Sequence, residues 1–224
     1  MRPVIAIRPE PGLSATLGTA REAGLPVTGV PLFEVRPIGW DPPPPEQFDA
    51  LLIGSVNAIR HAGASLADYR HLPVHAVGRM TARVAAEAGM RVGQRGEGGL
   101  QDLLDSTAVP KRFLRLAGEA HVALDPPAET KITTRIVYES AAMPMPARLA
   151  DLLREGALVL LHSGVAAVHM AAECDRLRID RARIALAALA PRIASAAGKG
   201  WARVRSAERP EDAALLALAR DMCQ

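Results

Sequence analysis

Three hydroxyl residues, Ser55, Thr81 and Ser163, each follow a short apolar run by two to four residues and open an Ala-rich stretch. A hydroxyl in that position caps a helix. At the carboxyl end of a parallel strand it can instead join the free N–H groups of a helix start in holding an anion. Their shared placement keeps both readings open. Tyr138, one of two tyrosines, carries a different kind of chemistry. A phenol is protonated at neutral pH and can donate a proton to a leaving group; packing is the alternative use of such a ring. The basic residues are 24 Arg against 3 Lys. Guanidinium groups suit forked contacts with carboxylate or phosphate. Arg115, in Leu114-Arg115-Leu116-Ala117-Gly118-Glu119, either pairs with Glu119 or Glu139 or meets a ligand.

Other chemistries lack their residues. The six histidines show no zinc-ligand spacing. Ser163 beside His162 does not form the G-x-S-x-G elbow of a hydrolase. Gly96-Glu97-Gly98-Gly99 has neither dinucleotide-fingerprint nor P-loop spacing and reads as a turn. Cys174 and Cys223 form neither a metal site nor a disulfide framework. No metal, flavin or nucleotide cofactor is therefore expected. Aromatics are 3% of the chain, too few for base-stacking modules, and the basic residues are scattered, so no nucleic-acid partner is expected. No apolar run reaches the ~18–20 residues of a membrane helix. The opening Met1-Arg2-Pro3-Val4-Ile5-Ala6-Ile7-Arg8-Pro9 reads as a proline-stopped strand rather than a secretory signal, which predicts a cytoplasmic protein without a membrane partner. With a net charge of +3 and a pI near 9.2, a small polyanion is the ligand class left open.

These residues must be positioned by a chain of 224 residues, 49% apolar and 23% charged, enough for one large domain or two compact ones. Apolar strands alternate with Ala-rich helices, the pattern of a parallel α/β fold. Strands are expected over 4–7, 27–35, 50–54, 74–77, 91–93, 113–117, 135–139, 157–161, 184–189 and 201–204. A helix or turn is expected between the strands at 113–117 and 135–139. Asp41-Pro42-Pro43-Pro44-Pro45 reads as a stiff linker. The sequence also repeats at offsets of 105–112 residues. Leu51-Leu52-Ile53-Gly54-Ser55 parallels Val159-Leu160-Leu161-His162-Ser163. Ala76-Val77-Gly78-Arg79-Met80-Thr81 parallels Ala188-Leu189-Ala190-Pro191-Arg192-Ile193. Leu32-Phe33-Glu34 parallels Val137-Tyr138-Glu139. Repetition implies two similar α/β units, but leaves open whether each is contiguous or one is assembled from both chain ends.

The ordered set formed by Arg8-Pro9, Ser55-x-Asn57-Ala58, Val77-Gly78-Arg79-Met80-Thr81-Ala82, Leu114–Glu119, Val137-Tyr138-Glu139, His162-Ser163-Gly164 and the closing Cys223-Gln224 resembles uroporphyrinogen-III synthase. The resemblance implies the crossed arrangement: two similar parallel α/β domains joined by a two-stranded β ladder, with a cleft between them. One domain would be discontinuous (1–36 with 143–224), the other would span 41–136, and the ladder 32–40 and 135–142. It further implies dehydration and cyclisation of hydroxymethylbilane, with inversion of the last pyrrole ring, to uroporphyrinogen III. The enzyme would be a cofactor-independent, monomeric, cyclising lyase. Tyr138 would assist water loss. Arg8, Ser55, Asn57, Gly78, Arg79, Thr81, Arg115, Gly118, Ser163, Gly164 and Arg192 would bind a substrate carrying eight carboxylates. The sequence departs from the family pattern where Ile193 stands at the counterpart of Thr81, and where Ala120-His121 follows Glu119. Outside that family, the same pattern suits a non-catalytic module for a small polyanion.

Overall fold

The computed structural model describes residues 2–107 and 111–223; Met1 and Gln224, the ends of the sequence pattern above, lie outside the described residues. The chain divides into two compact units, Met1–Glu34 with Ala141–Gln224, and Val35–Ser140.

The first unit is a five-stranded parallel sheet in the order β11-β10-β9-β1-β2. Its strands are β1 (Val4–Ala6), β2 (Val27–Gly29), β9 (Leu158–Leu161), β10 (Ala185–Ala188) and β11 (Arg203–Ser206). Ile5 faces Val159, so the opening strand pairs with β9 from the far end of the chain. The three central strands bury every residue, as parallel strands covered on both faces must. On one face pack α5 (Ala147–Glu155), α6 (Gly164–Arg176) and α7 (Pro191–Ala196); on the other pack α1 (Gly12–Glu22) and α8 (Asp212–Cys223). Cys174 of α6 lies in the first of these layers, where burial pushes its thiol up to about 11, so the thiol is a core group without reactivity.

The second unit is a six-stranded sheet in the order β3-β8-β7-β4-β5-β6. It comprises β3 (Phe33–Pro37), β4 (Ala50–Ile53), β5 (Val74–Val77), β6 (Val92–Gly96), β7 (Arg112–Gly118) and β8 (Lys131–Ala142), with helices α2 (Val56–His61), α3 (Arg79–Glu87) and α4 (Leu100–Asp105). Strands β4 to β8 repeat the order of the first sheet: β6-β5-β4-β7-β8 matches β11-β10-β9-β1-β2. The first unit is thus a circular permutation of the second. Its last two strands come from the start of the chain. The chain passes between units within β3 and within β8, and these strands are neighbours. Ile38 N–H donates to the Val137 carbonyl and Met143 N–H to the Leu32 carbonyl, each at 2.9 Å.

Two expectations are corrected. The single strand over 27–35 is two, β2 and β3, in different sheets, because Pro31 interrupts the run and lacks an N–H for a ladder. Between β7 and β8, where a helix or turn is expected, residues 119–130 take the turn, with irregular chain around it, in keeping with Asp125-Pro126-Pro127. The run from Asp41 to Pro45 is not a free linker. Trp40 Nε1 donates to the Ala62 carbonyl, Arg135 Nε to that of Asp41 and the Tyr69 phenol to that of Pro43, which ties the run down within the second unit.

Candidate functional site

The carboxyl ends of the parallel strands carry most of the residues singled out above. In the second unit, Ser55 follows β4 and caps α2, its Oγ accepting from Asn57 N–H at 3.2 Å. In the first unit, Ser163 holds the equivalent place after β9 and accepts from Ala166 N–H at 3.2 Å. Gly164 packs where a Cβ would sit 3.4 Å from that of Ala196 in α7. Thr81 is no cap. The cap of α3 is Gly78, at φ 80°, a conformation that favours glycine. Thr81 lies inside the first turn, 5% exposed, and its hydroxyl makes no hydrogen bond among the described residues. Arg79 and Arg192 stand in the first turns of equivalent helices, both exposed and both without an ionic partner among the described residues. Ile193 is buried in the core, so it takes no part in polar contacts.

Tyr138 lies on β8 against the exit of β7. Its ring occupies the space that a side chain at Gly118 would need: a Cβ there would meet Cζ at 2.6 Å and the phenol oxygen at 2.9 Å. Glu119 N–H donates to the Tyr138 carbonyl at 2.9 Å. The side chain is half-buried, and its phenol oxygen has no hydrogen-bond partner among the described residues. His61, at the end of α2, lies 6.2 Å from it between ring centroids. Burial, with the nearby Arg60 charge, lowers the His61 pKa and favours the neutral imidazole. Phe33, the counterpart of Tyr138 in the repeat, is buried in the core of the first unit, edge-on to His169 at 5.2 Å.

Arg115 is 4% exposed and pairs with neither Glu119 nor Glu139. Its Nη1 donates to the Val122 carbonyl at 2.9 Å, its Nε is buried without a partner, and burial lowers its pKa. In the alternating pleat it shares a sheet face with Phe113 rather than with Leu114. It therefore anchors the irregular chain after β7. A cavity of about 680 Å³ nearby is lined by Gln101, Asp105, Leu124 and Asp125, and its two carboxylates suit no polyanion.

Arg8 sits two residues past β1 within a polar cluster that sequence reading missed. Its Nη1 donates to Thr16 Oγ1 at 3.1 Å and to both oxygens of Asp212 at 3.3 Å. Thr16 Oγ1 donates to Asp212 Oδ2 at 2.7 Å, and His162 Nε2 lies 3.2 Å from Asp212 Oδ1. The His162, Thr16 and Arg8 contacts hold the Asp212 carboxyl down at about 2. Adjacency to Ser163 was the one signal for His162; nothing local marks Thr16 or Asp212. Among the described residues, no group of three or more His, Cys, Asp or Glu side chains could hold a metal ion. None of their helices is long and apolar enough to cross a membrane.

The profile of the family described as uroporphyrinogen-III synthase HemD matches residues 14–217. The crystal structure of uroporphyrinogen-III synthetase from Helicobacter pylori is similar to this chain with a TM-score of 0.67 at 17% identity, covering 99% of this chain and 100% of that one. A mutant uroporphyrinogen III synthase from Thermus thermophilus aligns with a TM-score of 0.49 at 18% identity, covering 99% of each chain. No curated protein matches the sequence. The Helicobacter likeness supports the α/β fold with parallel sheets, and the profile covers nearly the whole chain. The chain belongs to the uroporphyrinogen-III synthase family, cyclising lyases of tetrapyrrole biosynthesis that act on a small-molecule substrate.

Proposed function

We propose that this chain dehydrates and cyclises hydroxymethylbilane to uroporphyrinogen III, with Tyr138 as proton donor. The observation that carries the role of Tyr138 is its phenol, lying over Gly118 with no hydrogen bond among the described residues to satisfy it. Hydroxide is a poor leaving group, so protonation in the transition state lowers the barrier to water loss. The azafulvene cation that results is then attacked by a ring carbon of the same molecule. The enzyme's larger task is to hold a flexible bilane so that the inverted closure wins, a positioning effect. Substrate and product differ by one water, with no net redox change, so proton transfer and positioning suffice and no cofactor is assigned.

The eight substrate carboxylates meet the strand-end groups: Ser55 with Asn57, Gly78 with Arg79 and Thr81, Ser163 with Gly164, and Arg8 and Arg192. Arg115 and Gly118 act behind them, the first by holding the chain after β7 and the second by making room for Tyr138. The two compact units serve as the family's two domains, with β3 and β8 as the ladder joining them. The protein works as a cytoplasmic monomer without nucleic acid or membrane.

The test is the isomer ratio of product from hydroxymethylbilane with and without protein. Left alone, the bilane closes to the I isomer. An excess of the III isomer growing in proportion to added protein is expected. A ratio identical to the spontaneous one would leave a polyanion-binding module in its place.

A further inference from the structure

In the first unit the strand order reverses between β9 and β1. From β9 the chain proceeds outward through β10 to β11, and from β1 it proceeds the other way to β2. Ligands of open parallel sheets sit outside the carboxyl ends at such a switch point. The four residues at this one are Arg8 after β1, His162 after β9, Thr16 of α1 and Asp212 in the first turn of α8.

Their hydrogen bonds leave a defined remainder. Asp212 can only accept, and Thr16 spends its hydroxyl proton on it. His162 must therefore donate from Nε2. Thr16 and His162 thus converge on one carboxylate, and Arg8 completes the set with Nη1 alone. Nε and Nη2 of Arg8 make no bond among the described residues, and neither is sealed from solvent; the side chain is 30% exposed. That pair of N–H groups is one of the two edges by which a guanidinium grips a carboxylate with parallel bonds. Gly12 makes the pose possible. A Cβ there would lie 2.5 Å from Nε and 2.6 Å from Nη2, so the guanidinium rests on the bare first residue of α1.

We propose that Asp212, Thr16, His162 and Gly12 are positioning residues that hold Arg8 to bind one carboxylate of the substrate at the β9–β1 switch point. The assignment rests on the activity proposed above. It predicts a subsite of fixed geometry rather than a floating surface charge, with Asp212 cancelling most of the Arg8 charge so that recognition is by shape and hydrogen bonds.

Gly12→Ala is the discriminating variant. It keeps every charge, improves helix propensity and displaces only the end of a flexible side chain. It is compared with Asp212→Asn, Arg8→Lys and wild type, using KM and kcat with hydroxymethylbilane, melting temperature, and binding of uroporphyrin, a stable octacarboxylate, by fluorescence. The expected result is a rise of about tenfold or more in KM and in the uroporphyrin Kd for Gly12→Ala, the scale of one hydrogen bond to a charged group, with kcat and melting near wild type. Arg8→Lys, which loses the fork, should behave alike. Wild-type KM and Kd in Gly12→Ala and Arg8→Lys, with only Asp212→Asn melting lower, would make the cluster a clamp between chain ends and overturn the subsite. A wild-type protein that forms no excess III isomer would sink the activity instead, and the uroporphyrin arm would still decide the subsite.

Discussion

Removing one oxygen separates the two uses of Tyr138. Tyr138→Phe keeps the ring over Gly118 and breaks no hydrogen bond of the phenol among the described residues, so melting should not change. If the phenol donates the proton, turnover should fall at least about tenfold, the low end of general-acid effects. If carboxylates of the bilane supply the proton, the variant should turn over like wild type. Stopped-flow kinetics beside calorimetry tells these apart. The three hydroxyls divide in the same way. Ser55→Ala and Ser163→Ala each lose a cap bond and should cost about 1 kcal/mol of stability. Thr81→Val replaces the hydroxyl of a largely buried residue that has no partner among the described residues, so it should be neutral or slightly stabilising. A raised KM in Thr81→Val without lost stability would mark Thr81 as a substrate contact; an unchanged KM would remove it from the site.

The strands carry those residues, and they are also where the sequence was most readable. Ala50–Ile53 and Leu158–Leu161 are unbroken apolar runs followed by serine, which is how doubly covered parallel strands and their caps look in one dimension. What could not be read depends on partners far away in the chain. Repetition says that two units exist but not that Ile5 pairs with Val159, and no local pattern joins Arg8 to Asp212, 204 residues on. Thr81 obeys the composition of a cap, yet Gly78 takes that place because its backbone reaches φ 80°. Gly118 shows the reverse, a glycine whose reason is a ring on the next strand. Its value can be measured. In Gly118→Ala the new methyl must push the Tyr138 ring aside, so turnover should drop about as far as in Tyr138→Phe, with the phenol still present. Full activity in a folded Gly118→Ala protein would show that the pose of the ring does not matter.

At the scale of the molecule, the two units should respond differently to acid. Asp212 and Glu173, both in the first unit, each have carboxyls held down at about 2. Asp212 joins β1, α1 and β9 to α8. Glu173 takes two bonds from Arg176 and a third from Met145 N–H, fixing the chain after β8 onto α6. Their folded values lie below the ordinary ones of 3.8 and 4.5. The stabilisation is therefore present above about pH 4.5 and lost as pH falls toward 2, on the order of 2 kcal/mol for Asp212. In the second unit the lowered carboxyl is that of Asp49, paired with Arg112 at the surface, where an ion pair contributes little. Each unit carries one of the two tryptophans: Trp201 packs on the core of the first, stacked under Arg181, and Trp40 on that of the second. Trp40→Phe and Trp201→Phe proteins thus report on the two units separately. Titrated from pH 6 to pH 2 at fixed low urea, the Trp201 signal should shift before the Trp40 signal. Asp212→Asn should abolish part of that acid sensitivity while lowering stability at pH 6. Coincident transitions in both proteins would mean that the two units unfold as one and that these carboxylates do not set the acid limit.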